Sequence, residues 1–428
     1  MKKSRMAYDK LKRKQKWIGL LFFLIGSLIT ISIIITVIAL YPNELTSLVK
    51  THATSQSTSS SSTSVDDKPT STDSSEPLQQ THTFTPRTNF AENAETPLLL
   101  KPLKDKLEQD IASRELSGTL LAIKNNQVVM YNSFGYATDV PWKAQESTYM
   151  IASIQKFYTA LLISTLISEN KLSLDTTLNK FFPEIPGSDQ ITIDSMLSMT
   201  SGLKIDFYKK PKTKDEWKEY VLKNTTNTYS NTWTYSPVNY TLLAMIIEKL
   251  TNKTYEEYFN NTVKVPLNLK QTGFYSKEIQ NINLVPPYEE NGTQKKDSNE
   301  DYIYIRELGT GNMYVSPKDF AIVVQALMDG KFGDITSIEN MWLKPGQFDQ
   351  TFYKSGLYRK RLNQNDSIIF WGHGVFRGYE PTVIFNDDAS DMIIYFSNQY
   401  LSNKSNTIAT QEFYDILSSP ITFNEGNS

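Results

Sequence analysis

The chain has 428 residues, 39% hydrophobic and 21% charged, enough for a large two-lobed domain with further segments. It contains no cysteine and three histidines, which removes disulfides, thiolate metal sites and cysteine nucleophiles and speaks against a histidine-rich metal centre. A formal net charge of −2, with its basic excess at the N-terminus, gives no footing for nucleic-acid binding, and neither metal nor cofactor is expected.

Residues 1–16, MKKSRMAYDKLKRKQK, carry eight Lys and Arg side chains against Asp9 alone and read as a cytoplasmic basic tail. Residues 17–40, WIGLLFFLIGSLITISIIITVIAL, are uncharged. That run is long enough to cross a hydrocarbon core of about 30 Å as a helix, and too long for a signal-peptide core of roughly 7 to 15 residues. The positive-inside rule then predicts a single-pass anchor with everything after residue 43 outside the membrane. Residues 41–95 are rich in Ser, Thr, Pro and Gln and poor in aliphatics, so they are predicted to be a disordered linker that tethers the rest of the chain to its anchor.

Residues 96–428 read as one globular unit with strands at both ends and helices between. After the amphipathic stretch LLKPLKDKLEQDIAS, residues 118–137 predict a hairpin turning at Asn125 and Asn126. In SPKDFAIVVQALMDG, Ser316 is the expected N-cap, Pro317 the first helical residue, Asp319 the partner in a capping box and Gly330 the stop. SGLYRK, SIIFWGHGV, YEPTVIFNDD and DMIIYFSNQ predict four short strands, with a turn at Asn386, Asp387 and Asp388, and NTIATQEFYDILSS a closing helix.

The chemistry concentrates in STYMIASIQKFYTALLIS, residues 147–164. Ile154, Phe157, Tyr158, Leu161, Leu162 and Leu166 recur at spacings of three and four, predicting a helix with one buried face. Ser153 and Lys156 lie some 60° apart on the other side, with Ser153 at the helix start, where free N–H groups favour developing negative charge. A serine hydroxyl needs a base to become a nucleophile, and with His52 and His82 in the linker only His373 and the lysines remain. A Ser-His-Asp triad on His373 lacks a G-x-S-x-G elbow, the serines of SMTSG read as a structural turn, and Asp387 and Asp388 as solvated turn carboxylates.

The segments SIQK (153–156), LSLDTTLNKFFPEIPGSDQITIDSMLSMTSGL (172–203), YSPVNYTLLAMIIEKLTNKTYEEY (235–258), GNMYVSPKDFAIVVQAL (311–327) and GHGVFRGYEPTVIF (372–385) together resemble the serine β-lactamase and penicillin-binding-protein superfamily, in its class C-like branch, over about residues 100–400. The resemblance implies an α+β fold, an antiparallel sheet flanked by helices with an inserted helical lobe. It implies Ser153 as the acylated nucleophile, Lys156 as its proton partner and Tyr235 as a proton shuttle. His373 and Gly374 fall on the third motif, at the cleft edge, and backbone N–H groups of Ser153 and of the strand near Phe376 would form the oxyanion hole.

Two departures stand out. The expected Y-x-N reads Tyr235, Ser236, Pro237, so no asparagine meets an acylamide substrate unless Asn239 reaches in, and the third motif ends in Val375 instead of glycine. Both touch substrate recognition and leave the nucleophile intact. Trp371, Phe376 and Tyr379 flank the third motif and would line a groove for an extended sugar or polyol phosphate polymer. Within the superfamily this combination resembles the membrane-tethered D-alanyl esterases of teichoic acid, and with the tether it implies a Gram-positive envelope. The alternatives are a D-Ala-D-Ala carboxypeptidase or penicillin-binding protein, and a non-catalytic wall-binding or sensing protein on the same scaffold. Oligomeric state is not legible.

Overall fold

The computed structural model describes residues 84–91, 95–206, 209–276, 279, 282–296, 300–344, 353–361 and 368–420. The chain divides into two units, and the first, Met1–Leu78, lies wholly outside these residues. With it lie the predicted basic tail, the predicted membrane helix at 17–40 and most of the predicted linker. Among the described residues no helix is long and apolar enough to cross a membrane.

The domain begins with helix α1 (Lys101–Ala112) and the hairpin β1 (Gly118–Lys124) and β2 (Gln127–Phe134). Asn125 and Asn126 take φ values of 50° and 61°, the left-handed pair that a two-residue hairpin turn requires. The helical lobe follows, with β3 (Tyr149–Met150), α2 (Gln155–Ser168), β4 (Leu203–Lys204), α3 (Lys214–Asn224), β5 (Thr226–Asn227), α4 (Val238–Thr251), β6 (Thr272–Phe274), β7 (Met313–Val315) and α5 (Pro317–Met328). The chain returns through β8 (Tyr353–Lys354), β9 (Leu357–Arg361), β10 (Ile368–His373), β11 (Glu380–Asn386) and β12 (Met392–Ser397) and ends in α6 (Ser405–Ser418). Among the described residues the main sheet has seven strands in the order β2-β1-β12-β11-β10-β9-β8, all antiparallel.

Both faces of this sheet are covered, which is why its central strands read as unbroken apolar runs. Alternate residues on a strand point to opposite faces. On β12, Ile393 and Tyr395 join Leu103, Leu107, Phe413 and Leu417 beneath α1 and α6, while Met392, Ile394 and Phe396 join Phe157, Phe320 and the helical lobe.

Three expectations need correcting. Helix α2 has no single buried face: Gln155 through Ser164 are all buried, because it runs through the centre of the molecule. The capping box at α5 closes only on one side. Ser316 accepts from the Asp319 N–H, but the Asp319 carboxylate accepts instead from Gln271 N and Thr272 Oγ1, fixing the start of β6. The predicted linker also ends before residue 95. Thr88 is 1% exposed and exchanges bonds with Gln325, Phe84 and Phe90 pack on the core, and Arg87 bonds to Asp388 O and pairs with Asp329. Two phenylalanines supply apolar surface that the Ser- and Thr-rich part lacks.

Candidate active site

Ser153 lies in the 3-10 turn Ala152–Ile154 that leads into α2. Ala152 before it holds φ at 48°, a left-handed conformation that costs a non-glycine residue about 1–2 kcal/mol and sharpens the turn that carries Ser153. One helical turn on, Lys156 is 1% exposed, with Nζ 3.0 Å from Ser153 Oγ and 3.2 Å from Thr310 O. Tyr235, just ahead of α4, brings Oη to 2.6 Å from Ser153 Oγ, and the lysine Nζ lies 5.3 Å from its ring centroid. Three residues from two helix starts, far apart in sequence, thus share one hydroxyl.

The sheet supplies the opposite wall. Gly374 follows β10 and packs so tightly on the serine turn that a Cβ there would fall 2.8 Å from Ser153 N and 2.7 Å from Ile151 O. Gly356, between β8 and β9, has φ at 84°, and a Cβ there would fall 2.2 Å from Phe157 N. Glycine at both positions lets strand backbone seat directly on the nucleophile turn. Among the described residues, neither Ser153 N–H nor Val375 N–H meets a backbone acceptor. The Phe376 N–H, by contrast, donates to Tyr379 O, so the strand's open donor is at Val375.

His373 Nε2 lies 2.9 Å from Glu380 Oε1. Glu380 is 1% exposed, and its Oε2 accepts from Asn406 Nδ2 at 2.6 Å and Leu401 N at 3.3 Å. The Glu380 carboxylate accepts from the Nε2–H of His373 and so fixes the orientation of the imidazole at the cavity edge.

Ser153, Tyr235, Tyr353, Gly356, Tyr358, Trp371, His373, Gly374 and Val375 line one cavity of about 320 Å³. A larger cavity, about 920 Å³, lies between α1 and the 399–405 segment and contains none of these residues. The catalytic cavity has an aromatic wall: Trp371 stacks on Tyr358 with centroids 4.1 Å apart, and Tyr353 packs edge-on against both Tyr358 and Tyr235. Burial raises the phenol of Tyr353 well above its ordinary value, with Tyr240 and Tyr235 adding to it, and burial followed by Tyr235 raises Tyr358. Both phenols therefore stay protonated and serve as wall, not base.

Of the sequence-predicted residues, Ser153, Lys156, Tyr235, His373 and Gly374 come together here. Asn239 does not. It is 1% exposed, its Oδ1 accepting from Ser201 Oγ at 2.6 Å and its Nδ2 donating to Ser236 O, and it is absent from the cavity lining. The Phe376 side chain lines a neighbouring groove instead. Tyr353, Tyr358, Gly356 and Glu380 are site residues that sequence reasoning does not reach. The turn glycine in SGLYRK is a usable signal for Gly356, but a buried acid inside an apolar strand has no spacing that announces it.

The family profile described as Beta-lactamase matches residues 103–412. The teichoic acid D-alanine hydrolase of Staphylococcus aureus is 27% identical over 296 residues, 67% of this chain and 72% of that protein. PbpX of Bacillus subtilis (strain 168), described as a penicillin-binding protein, is 28% identical over 290 residues, 66% of this chain and 70% of its own. Among solved structures, FmtA from Staphylococcus aureus superposes with a TM-score of 0.64 at 22% identity, covering 78% of this chain and 92% of that one. The D-amino acid amidase of Ochrobactrum anthropi SV3 superposes with a TM-score of 0.62 at 22% identity, covering 74% and 97%. At those identities the superpositions speak for the fold.

Proposed function

The chain belongs to the beta-lactamase family and is a serine hydrolase, and from that premise we propose that it is a D-alanyl esterase of the cell envelope, releasing D-alanine from teichoic acid through an acyl-enzyme on Ser153. The observation that carries this reading is the convergence of Lys156 Nζ and Tyr235 Oη on Ser153 Oγ, at 3.0 and 2.6 Å, in a cavity whose lining, among the described residues, contains no side-chain amide. A peptide substrate of the carboxypeptidase kind presents an acylamide that asks for such an amide. An ester of a free amino acid does not.

In this proposal Ser153 Oγ attacks the ester carbonyl carbon while its proton passes to the Lys156–Tyr235 pair, which acts as one coupled group. The Ser153 and Val375 N–H groups receive the oxyanion. Collapse of the tetrahedral adduct breaks the bond to the polyol oxygen, which takes the proton from the pair and leaves as an alcohol. Water then attacks the D-alanyl-serine ester, giving its proton to the same pair, and D-alanine departs as Ser153 Oγ is reprotonated. The cavity volume of about 320 Å³ suits a small acyl group, and its aromatic wall suits the ammonium of D-alanine. The same proposal holds the domain outside the membrane on the anchor at 17–40, a placement supported by the uncharged run and the eight basic residues before it.

The test is D-alanine release from D-alanylated teichoic acid, with intact-mass detection of fluorophosphonate and penicillin adducts. Ser153→Ala is expected to lose turnover by roughly 10⁴-fold or more while remaining folded. Unchanged turnover in that variant sinks the esterase. Absence of any covalent adduct on the wild type favours a non-catalytic binder, and a stable penicilloyl adduct favours the carboxypeptidase.

A further inference from the structure

A groove of about 470 Å³ opens beside the catalytic cavity. The two share the turn at 374–379, which gives Val375 to the cavity and Phe376 and Arg377 to the groove. Met150, also in the groove, lies on β3 three residues before Ser153. The groove floor is aromatic: Tyr304 packs edge-on against Phe376 with ring centroids 5.6 Å apart and lies 4.6 Å from Tyr275.

Its rim is basic, and the cations come from two separate parts of the chain, Lys295 and Lys296 from one and Arg377 from the other. Lys295 Nζ is 2.9 Å from Glu289 Oε1. The Glu300 carboxyl is held below its ordinary value by Tyr302 and Lys210 first, with Arg377 a lesser contributor. No carboxylate stands among the described residues that line the groove. Once the eight basic residues of 1–16 are set aside the chain is net acidic, so this rim is not a sample of a generally basic surface.

We propose that the groove binds the phosphodiester backbone of a polyol phosphate polymer, the acceptor end of the ester cleaved at Ser153; the substrate assignment rests on the esterase reading above. Lys296 and Arg377 take successive phosphates, Arg377 with the two-pronged geometry a guanidinium offers to phosphate oxygens. The polyol carbons lie on Phe376 and Tyr304. A D-alanyl branch from a bound unit then crosses the 374–379 turn into the catalytic cavity, and successive branches reach Ser153 as the polymer advances.

The experiment measures binding of end-labelled poly(glycerol phosphate) free of D-alanine to the full chain over a series of salt concentrations. Lys296→Glu with Arg377→Glu is compared with Lys296→Arg with Arg377→Lys, and unfolding midpoints verify that each variant folds. The charge-reversed pair is expected to weaken binding at least about tenfold and to lose roughly one unit of the logarithmic salt slope per cation removed, while the charge-conserving pair still binds. Equal affinity and equal salt slope in wild type and charge-reversed chain overturn the proposal, as does equal binding of poly-L-glutamate, which would make the rim a non-selective cationic surface. The wild type is labelled with fluorophosphonate in parallel. Polymer binding without labelling sinks the esterase and spares the groove, whereas labelling with charge-insensitive polymer binding sinks the groove and spares the esterase.

Discussion

Trp371 is 37% exposed and has one ring face covered by Tyr358, which leaves the rest of the indole to the catalytic cavity. An ammonium over an indole face gains about 0.5–2 kcal/mol, so Trp371→Ala should lower kcat/KM for a D-alanyl ester roughly 2- to 30-fold more than for the acetyl ester of the same alcohol. Equal losses on the two esters would remove the aromatic wall from substrate recognition. The Ser153 and Lys156 juxtaposition was legible because two residues one helical turn apart are neighbours by geometry alone. Tyr235 was legible only through its motif, since no local rule brings it 82 positions back to Ser153. Glu380 and Tyr353 were not legible. Their roles depend on what β11 and β8 lie beside, and that is decided by sheet order, not by neighbouring residues.

At the level of single elements, local signals held where the backbone settles the outcome and failed where a tertiary partner displaced a local one. The Asn125–Asn126 hairpin formed as its turn chemistry demands. The capping box of α5 gave way because the Asp319 carboxylate found two donors at the start of β6. That choice buries it, and burial raises its carboxyl above the ordinary value despite those two bonds and nearby Lys318 and Lys264. The folded protein therefore binds a proton more tightly here than the unfolded chain, whose aspartate titrates near about 3.9. Stability from this group falls as pH climbs from about 4 through the raised value, and the loss persists above it. Asp319→Asn keeps an acceptor oxygen for both donors, so its urea midpoint relative to wild type should rise between pH 4 and neutrality. A difference that does not change with pH would contradict this account. Helix α2 shows the other kind of failure. Its apolar spacing is that of a helix, but its polar positions, Gln155, Lys156, Thr159 and Ser164, are buried as well, and only the surrounding lobe reveals that.

Across the whole molecule, the lobes are joined beneath the cavity by an ion pair that sequence could not show. Lys354 Nζ on β8 lies 2.6 Å from Asp194 Oδ1 in the short helix Ile193–Leu197, with side chains 2% and 9% exposed, and also donates to Asn340 O. Ser355 N bonds to Leu197 O in the same place. Removing one buried partner strands the other charge, so Asp194→Ala should cost about 3–5 kcal/mol by chemical denaturation, and pairing Asp194→Leu with Lys354→Met should recover much of it. Comparable losses in the single and double variants would show that the site contributes through packing alone. The layered α+β architecture itself was legible, because strands at both chain ends with helices between leave few ways to close a sheet.

That closure has a temporal side. β1 pairs with β12, so Gly118 faces Ser397 from the far end of the domain, and β1 is also the partner of β2. A ribosome delivers the N-terminal hairpin first, and one edge of β1 then stays open until nearly the whole catalytic domain has been made. The helices of the inserted lobe can gather from local contacts during that interval, but the wall carrying His373 and Gly374 cannot be set against Ser153 until the last strands arrive. Assembly of the cavity is thus a late, long-range event, and a chain cut short before β12 would present an unpaired apolar strand to its neighbours.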